Sequence, residues 1–304
     1  MSSSSHGSSA RAILYAFVAN LGIALAKSGA AIYTASGSML AEAIHSFADC
    51  GNQVLLYIGL CQSVKPPDKE HPLGYGKISY FWSFIVAILL FSMGGLFSVY
   101  EGWHKLYEPG TLTSAWVALL VLGVSIVLEI FSLIGCVKEI NHLRKSKPFW
   151  QWFNTTRNAE LVVVLAEDNA AIIGLLLAFV FVSLAVATGN PVYDAIGSIC
   201  IGIVLVLISI FVATRIKGLI IGRSAEPELQ EIINSIIAND DAIENVLNTI
   251  TIQYGPQIML AAKIKMHAGI PVERVVERIN ALERKIKEQV PEVGWCFIEP
   301  DCEQ

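Results

Sequence analysis

Charge is what this sequence has least of. Asp, Glu, Lys and Arg make up 15% of its 304 residues, while 54% are hydrophobic; an ordinary soluble domain carries about 25% charged residues. One or two compact domains of this length need more charge than that to cover them in water, so a wholly soluble protein is excluded. A disordered chain is excluded by the same apolar excess. With a formal net charge of −5 the chain lacks a basic surface for gripping nucleic acid. Cysteine is sparse and scattered: Cys50, Cys61, Cys136, Cys200, Cys296 and Cys302 stand singly with no CxxC pair, which argues against a disulfide framework. Four of them sit in apolar stretches, as small hydrophobes. A basic segment ahead of the first apolar run is missing too. Met1–Ala10 is Ser-rich, and the run that follows is too long for a cleavable signal peptide.

What the sequence does have is long apolar runs. A bilayer core of about 30 Å needs about 20 apolar residues per helix. Six windows meet that, at residues 12–34, 38–61, 80–104, 113–137, 160–187 and 192–214. The turns Tyr33–Ser38 and Thr188–Pro191 carry no charge, and the third connection on that side holds only Lys105 and Glu108. The opposite side holds Lys65, Lys69, Lys77, Arg144, Lys145, Lys147, Arg157, Arg215, Lys217 and Arg223. By the positive-inside rule both termini face the cytoplasm, or the equivalent compartment of an organelle.

After Arg223 the composition becomes that of a small soluble domain. Glu226–Ala238 has an apolar helical stripe. Val246–Tyr254 and Ile258–Met266 read as strands joined at Gly255–Pro256. Pro271–Gln289 reads as a second amphipathic helix, and Trp295–Glu299 as a last strand. The predicted fold class is therefore an α-helical membrane protein: a short polar leader (residues 1–11), six transmembrane helices (12–222), and a small cytoplasmic α+β domain (223–304). That domain has the order αββαβ, is ferredoxin-like, and puts both helices on one face of its sheet. At about eighty residues it folds only marginally alone, so a homodimer is expected.

Ionisable residues inside a span cost several kcal/mol, roughly 2.5–3.5 on insertion scales, so each needs a reason. Span two carries Glu42, His45, Asp49, Asn52 and Gln53 on one helical side. His45 and Asp49, four apart, can reach one small target, and an imidazole nitrogen beside a carboxylate oxygen suits zinc and its first-row neighbours. The alternative is a polar stripe that bonds helices together. Span five adds Glu167 and Asp168, adjacent and so pointing 100° apart, of which one is expected to face span two. Three roles are open to Glu129 in span four: an outer carboxylate of the site, a proton carrier, or a partner for another helix. Asn20 and Lys27 read as packing and snorkelling residues, and Glu101 and His104 as interfacial. Without a metal such buried groups hold protons; a divalent metal requires them deprotonated and displaces those protons. That competition is what an exchanger uses, with alternating access exposing the site to each side in turn.

These residues also carry a resemblance. SGSMLAEAIHSFADCGNQ in span two, DKEHPLGYGK in the following loop, LAEDNAAIIG in span five and GNPVYDAIGS at the start of span six resemble the cation diffusion facilitators, proton-coupled exporters of divalent transition metals. With LIIGRSAEPE, the chain looks most like the branch of the mitochondrial zinc transporter-9 proteins. The resemblance implies a transport site of His45 and Asp49 with Asp168 from span five. Where the family adds a histidine, this chain has Val164; Glu167, Glu42 or Asn52 would supply the missing ligand. An oxygen-richer site makes manganese, iron or cobalt plausible beside zinc. Asp68 and His71 match a second family metal site whose third position is Tyr75; the competing reading is a turn that packs against the tail. The tail has one histidine, His267, with Lys263 and Lys265 where ligands are expected, so it is read as a dimerisation domain with little metal regulation.

The expected activity is thus a divalent-metal/proton antiporter, zinc leading, not an enzyme. It has no permanently bound cofactor; its partners are metal ions, protons, lipid and a second copy, and no nucleic acid. Its place is a cell (inner) or organelle membrane. The alternatives are an exchanger of another cation, a scaffold with a degenerate site, and a membrane metalloenzyme, for which no nucleophile motif or HExxH helix is present.

Overall fold

The computed structural model describes residues 2–34, 37–107, 115–144 and 146–302, without the side chains of 2–6, 34, 37–42, 44, 45 and 115. Long helices come first: α1 (Ser2–Thr34), α2 (Gly37–Ser63), α3 (Ile78–Leu89), α4 (Phe97–Tyr107), α5 (Ala115–Arg144), the short α6 (Phe149–Thr155), α7 (Ala159–Thr188) and α8 (Val192–Ile221). The tail follows as α9 (Pro227–Ala238), β1 (Ile243–Tyr254), β2 (Gln257–Met266), α10 (Val272–Gln289) and β3 (Val293–Pro300). Among the described residues five helical stretches are long and apolar enough to cross a bilayer: Gly7–Tyr33, Ile78–Tyr107, Trp116–Arg144, Ala159–Thr188 and Val192–Ile221. This is a multi-pass membrane protein. α2 has 27 residues, about 40 Å at 1.5 Å per residue, and carries the polar stripe.

Three details differ from the sequence reading. α5 and α8 run past the predicted span ends to Arg144 and Ile221, because Ile140 and Leu219 belong to the same buried cluster as the spans. α6 was unforeseen: it is seven residues long, too short for a periodic signal, and its Trp152 is buried. Span three is broken between α3 and α4 by a π-helical turn at Leu90–Leu96. There Gly95 meets α8 backbone to backbone, a Cβ on Gly202 falling 2.7 Å from the Gly95 carbonyl oxygen. Small residues permit that approach, and no sequence pattern announces the extra residue of a π-turn.

The bundle is packed asymmetrically along its length. One buried cluster joins Ile13 and Ala16 of α1, Leu56 and Leu60 of α2, Tyr80 of α3, Ile140 of α5, Leu161 and Val164 of α7, and Ile216 of α8, all in the half next to the tail. Among the described residues the far half has only a small cluster of Ala30, Val117 and Val121. In the tail the sheet order is β1-β2-β3, with β1/β2 antiparallel and β2/β3 parallel. Alternate β2 residues Ile258, Leu260, Ala262 and Ile264 are buried against Ile233 and Ile237 of α9 and Leu282 and Ile286 of α10, so both helices lie on one face, as expected.

The tail is seated on the α2–α3 loop. The Tyr254 hydroxyl donates to the Gly74 carbonyl at 3.0 Å, and Tyr80 donates to the Gly255 carbonyl at 3.2 Å. Gly76 and Gly255, the latter at φ 62°, face each other so closely that a Cβ on Gly76 would stand 2.5 Å from the Tyr254 carbonyl oxygen. Nearby, the buried Arg157 donates to the carbonyls of Ser224 at 2.8 Å and Ala225 at 3.2 Å, fastening the tail linker to the start of α7. Gly76→Ala is therefore expected to cost roughly 1–3 kcal/mol through overpacking and to lower the thermal midpoint of the detergent-solubilised protein. Gly123→Ala, with no neighbour within 4 Å, is the control and should leave it unchanged or raise it slightly. Equal midpoints for Gly76→Ala and the wild type would contradict this contact.

Candidate metal centre

α7 begins on Asn158, whose side-chain oxygen accepts from the Leu161 amide at 2.9 Å, an N-cap. It ends on Gly189 in the left-handed region at φ 66°, where glycine carries no Cβ penalty. Between these ends the helix is mostly apolar; beyond Glu160 in its first turn, its carboxylates are Glu167 and Asp168, about a third of the way along and both buried. Consecutive helical residues diverge by about 100°, and each meets a different neighbour. Glu167 reaches α2, accepting from Gln53 Nε2 at 2.7 Å and Asn52 Nδ2 at 3.3 Å. Asp168 reaches α5, accepting from Ser132 Oγ at 3.0 Å on Oδ1. Its Oδ2 is buried with no hydrogen-bond partner among the described residues, and the same is true of Gln53 Oε1.

Both carboxylates line a cavity of about 1250 Å³, together with Asp49 and Asn52 of α2 and Glu129 of α5. Glu129 is only 5% exposed. The cavity extends through the far half of the bundle to Glu101, Lys105 and Asp194, at the end remote from the tail. On the tail side the buried cluster of Leu56, Tyr80, Val164 and Ile216 forms an apolar floor. Val164, where the resemblance implies a histidine, is fully buried in that floor.

Thus Asp49, Asn52, Glu129, Glu167 and Asp168 are brought to one cavity. The side chains of His45 and Glu42 lie outside the described residues. Asp68 and His71 are not in this cavity. They stand in the exposed α2–α3 loop, where Asp68 Oδ1 accepts from the amides of His71 at 2.7 Å and Glu70 at 2.9 Å, and Oδ2 from the Tyr75 hydroxyl at 2.7 Å. Tyr75 and the His71 amide hold the Asp68 carboxyl below the usual carboxylate range, so both of its oxygens are engaged within the loop. Among the described residues no three His, Cys, Asp or Glu side chains converge tightly enough to hold a metal ion. These site oxygens come from three helices, α2, α5 and α7, a donor set that suits a hard or borderline divalent cation.

Sequence reasoning missed some of this lining. Asn20 and Lys27 line the cavity instead of only packing or snorkelling; their depth in span one was the available signal. Gln53 stood in the span-two stripe, and its pairing with Glu167 follows only from how α2 faces α7. Ser132 lies three residues after Glu129 on the same helical side, which was legible but not distinctive.

A multi-pass helical protein with buried carboxylates around an internal cavity belongs among the ion-handling membrane proteins, and comparison with known proteins narrows this. The cation efflux transmembrane domain matches residues 13–215, and the chain belongs to that family, the cation diffusion facilitators, in the branch of the mitochondrial zinc transporter-9 proteins. It is 33% identical over 262 residues to the human mitochondrial proton-coupled zinc antiporter SLC30A9, covering 85% of this chain and 45% of that protein. It is 29% identical over 278 residues to metal tolerance protein C4 of Arabidopsis thaliana (90% and 61%), and 25% over 301 residues to the manganese efflux system protein MneP of Bacillus subtilis (95% of each). The chain spans less than half the length of the zinc antiporters it matches. The family is one of transporters, not enzymes.

The Gln53–Glu167 contact is testable by a double-mutant cycle. Gln53→Leu leaves a buried carboxylate oxygen short of a donor and should destabilise the protein by roughly 1.5–3 kcal/mol. Adding Glu167→Leu should recover part of that, since the apolar pair then leaves only the Asn52 amide, at 3.3 Å in the wild type, without this acceptor. Additive losses in denaturant unfolding would argue against the contact.

Proposed function

We propose that this protein is a secondary antiporter that moves a divalent transition metal out of the compartment facing its tail in exchange for protons. The observation that carries this reading is Asp168, a buried carboxylate with one oxygen that has no partner among the described residues, lining a cavity shared with Asp49, Glu129 and Glu167. Protonated, such groups tolerate the apolar bundle; deprotonated, they bind a metal, so cargo and protons exclude one another. In this reading His45 of α2 joins Asp49 and Asp168 as a ligand. Glu167 acts from a position fixed by Asn52 and Gln53, and Glu129 serves as an auxiliary carboxylate. α2 is the sixth span, both termini lie on the tail side, and that side is the cytoplasm or its organellar equivalent.

The asymmetric packing supports alternating access. The cavity reaches the end away from the tail while the apolar floor closes the other side, one of the two arrangements such a transporter needs. Opening toward the tail requires the floor of Leu56, Tyr80, Val164 and Ile216 to part. The tail is read as the dimer contact: Ile250, Ala261 and Phe297 align across the three strands on the face without helices, and Ile250 and Phe297 are exposed.

Zinc leads because relatives at 33% identity are named proton-coupled zinc antiporters. The oxygen-rich lining favours manganese as the second reading, and one relative is a manganese efflux protein. The test is metal flux into proteoliposomes holding a pH-sensitive dye, with zinc, manganese, iron(II), cobalt and cadmium. Wild-type protein should exchange at least one metal for protons, and both Asp49→Ala and Asp168→Asn should lower that flux by tenfold or more, roughly the loss of one charge-assisted contact or greater. Flux that survives Asp168→Asn, or proceeds without proton movement, would overturn the proposal.

A further inference from the structure

At the end of the cavity remote from the tail stand three charged groups from two helices. Lys105 Nζ of α4 lies 3.2 Å from Glu101 Oε1, one turn earlier on the same helix, and 3.2 Å from Asp194 Oδ2 in the first turn of α8. It also lies 3.5 Å from Ser198 Oγ. All four residues line the cavity that holds Asp49, Glu167 and Asp168, and the three charged side chains are partly buried, 25–45% exposed. The two helices are locked together at this level: a Cβ on Gly102 would fall 2.7 Å from the Ala195 carbonyl oxygen. The spacing between Asp194 and the α4 pair is thereby set by backbone contact.

Two carboxylates at such separation on a cavity wall form an attractive stop for a divalent cation. A passage conducts only when its stops are strong enough to admit an ion and weak enough to release it. With the ammonium between them the group carries a net charge of −1; without it, −2. We propose that Lys105 is a tethered cation that occupies this stop, keeping the exit attractive to a departing divalent metal but too weak to retain it, and too weak to capture one from the far side. The inference deepens the proposed transport function and rests on that reading for its role in flux. The ion-binding part stands on the geometry alone.

Equilibrium binding of Zn2+ to the detergent-solubilised full chain tests it. Lys105→Met, and in parallel Lys105→Gln, should bind about one further equivalent of Zn2+, at least tenfold more tightly than any such site in the wild type, given the strength of a charge pair at this distance. Lys105→Arg should not. The double change Lys105→Met with Asp194→Asn should lose the extra equivalent, because it returns the group to −1. In vesicles whose orientation is scored by protease access to the tail, Lys105→Met should slow efflux and make Zn2+ on the far side inhibitory at about one-tenth of its wild-type concentration. A merely structural ion pair predicts otherwise: weaker transport in both directions and no added equivalent, a result that would overturn the inference. An added equivalent alongside a wild-type protein that moves no metal would remove the transport proposal and leave the tethered cation standing.

Discussion

The fold turns on the need to keep two adjacent carboxylates inside an apolar bundle. A buried carboxylate without partners costs several kcal/mol, and α7 carries two side by side, Glu167 and Asp168, besides the buried Glu160 of its first turn. Their 100° divergence on the helix dictates the surroundings: an amide pair on α2 for Glu167 and a serine on α5 for Asp168. One oxygen of Asp168 has no partner among the described residues. The dense packing lies on the tail side of this pair and the cavity on the other. The carboxylates therefore sit at the boundary between a closed half and an open half.

The tail attaches to the bundle at the α2–α3 loop, at the start of α7, and through Lys147, which pairs with Glu226 and Glu228. Glycines on both partners let the α2–α3 loop and the β1–β2 turn touch backbone to backbone, and Arg157 fastens the linker to the corner from which α7 starts. The loop's own polar groups are spent on its shape: Tyr75, His71 and Glu70 engage Asp68 fully. The same holds on the open face of the tail sheet, where Lys263 pairs with Asp301 at 2.8 Å and Lys265 with Glu244 at 2.7 Å. Lysines there supply the positive charge that carboxylates would otherwise seek from a metal, which agrees with a tail that acts by contact.

Much of this was legible in the sequence, because lipid enforces simple rules. Apolar runs gave the helices, short turn signals gave the three strands, and the cost of charge in a membrane singled out Asp49, Glu129, Glu167 and Asp168 before any coordinate. What stayed hidden depends on how helices face one another. Nothing local marks Gln53 as the donor to Glu167, or Asn20 and Lys27 as lining. The π-turn at Leu90–Leu96 has no signature beyond two glycines, and α6 is too short to show a period. Lys105 counted only as a charge in a connection between spans, and the fold brings Asp194, about ninety residues later, beside it. The loop of Asp68 and His71 had two readings, a metal site or a turn packed against the tail, and the contact of Gly76 with Gly255 appears only in three dimensions.

The claim at the centre of this account is that one set of buried oxygens holds protons or a metal but not both. It is tested most directly by counting protons released when Zn2+ binds the solubilised protein, by calorimetry in buffers of different ionisation enthalpy. The account predicts release of one or more protons per metal bound, reduced in Asp168→Asn. Zinc binding with no proton release, unchanged by Asp168→Asn, would contradict it.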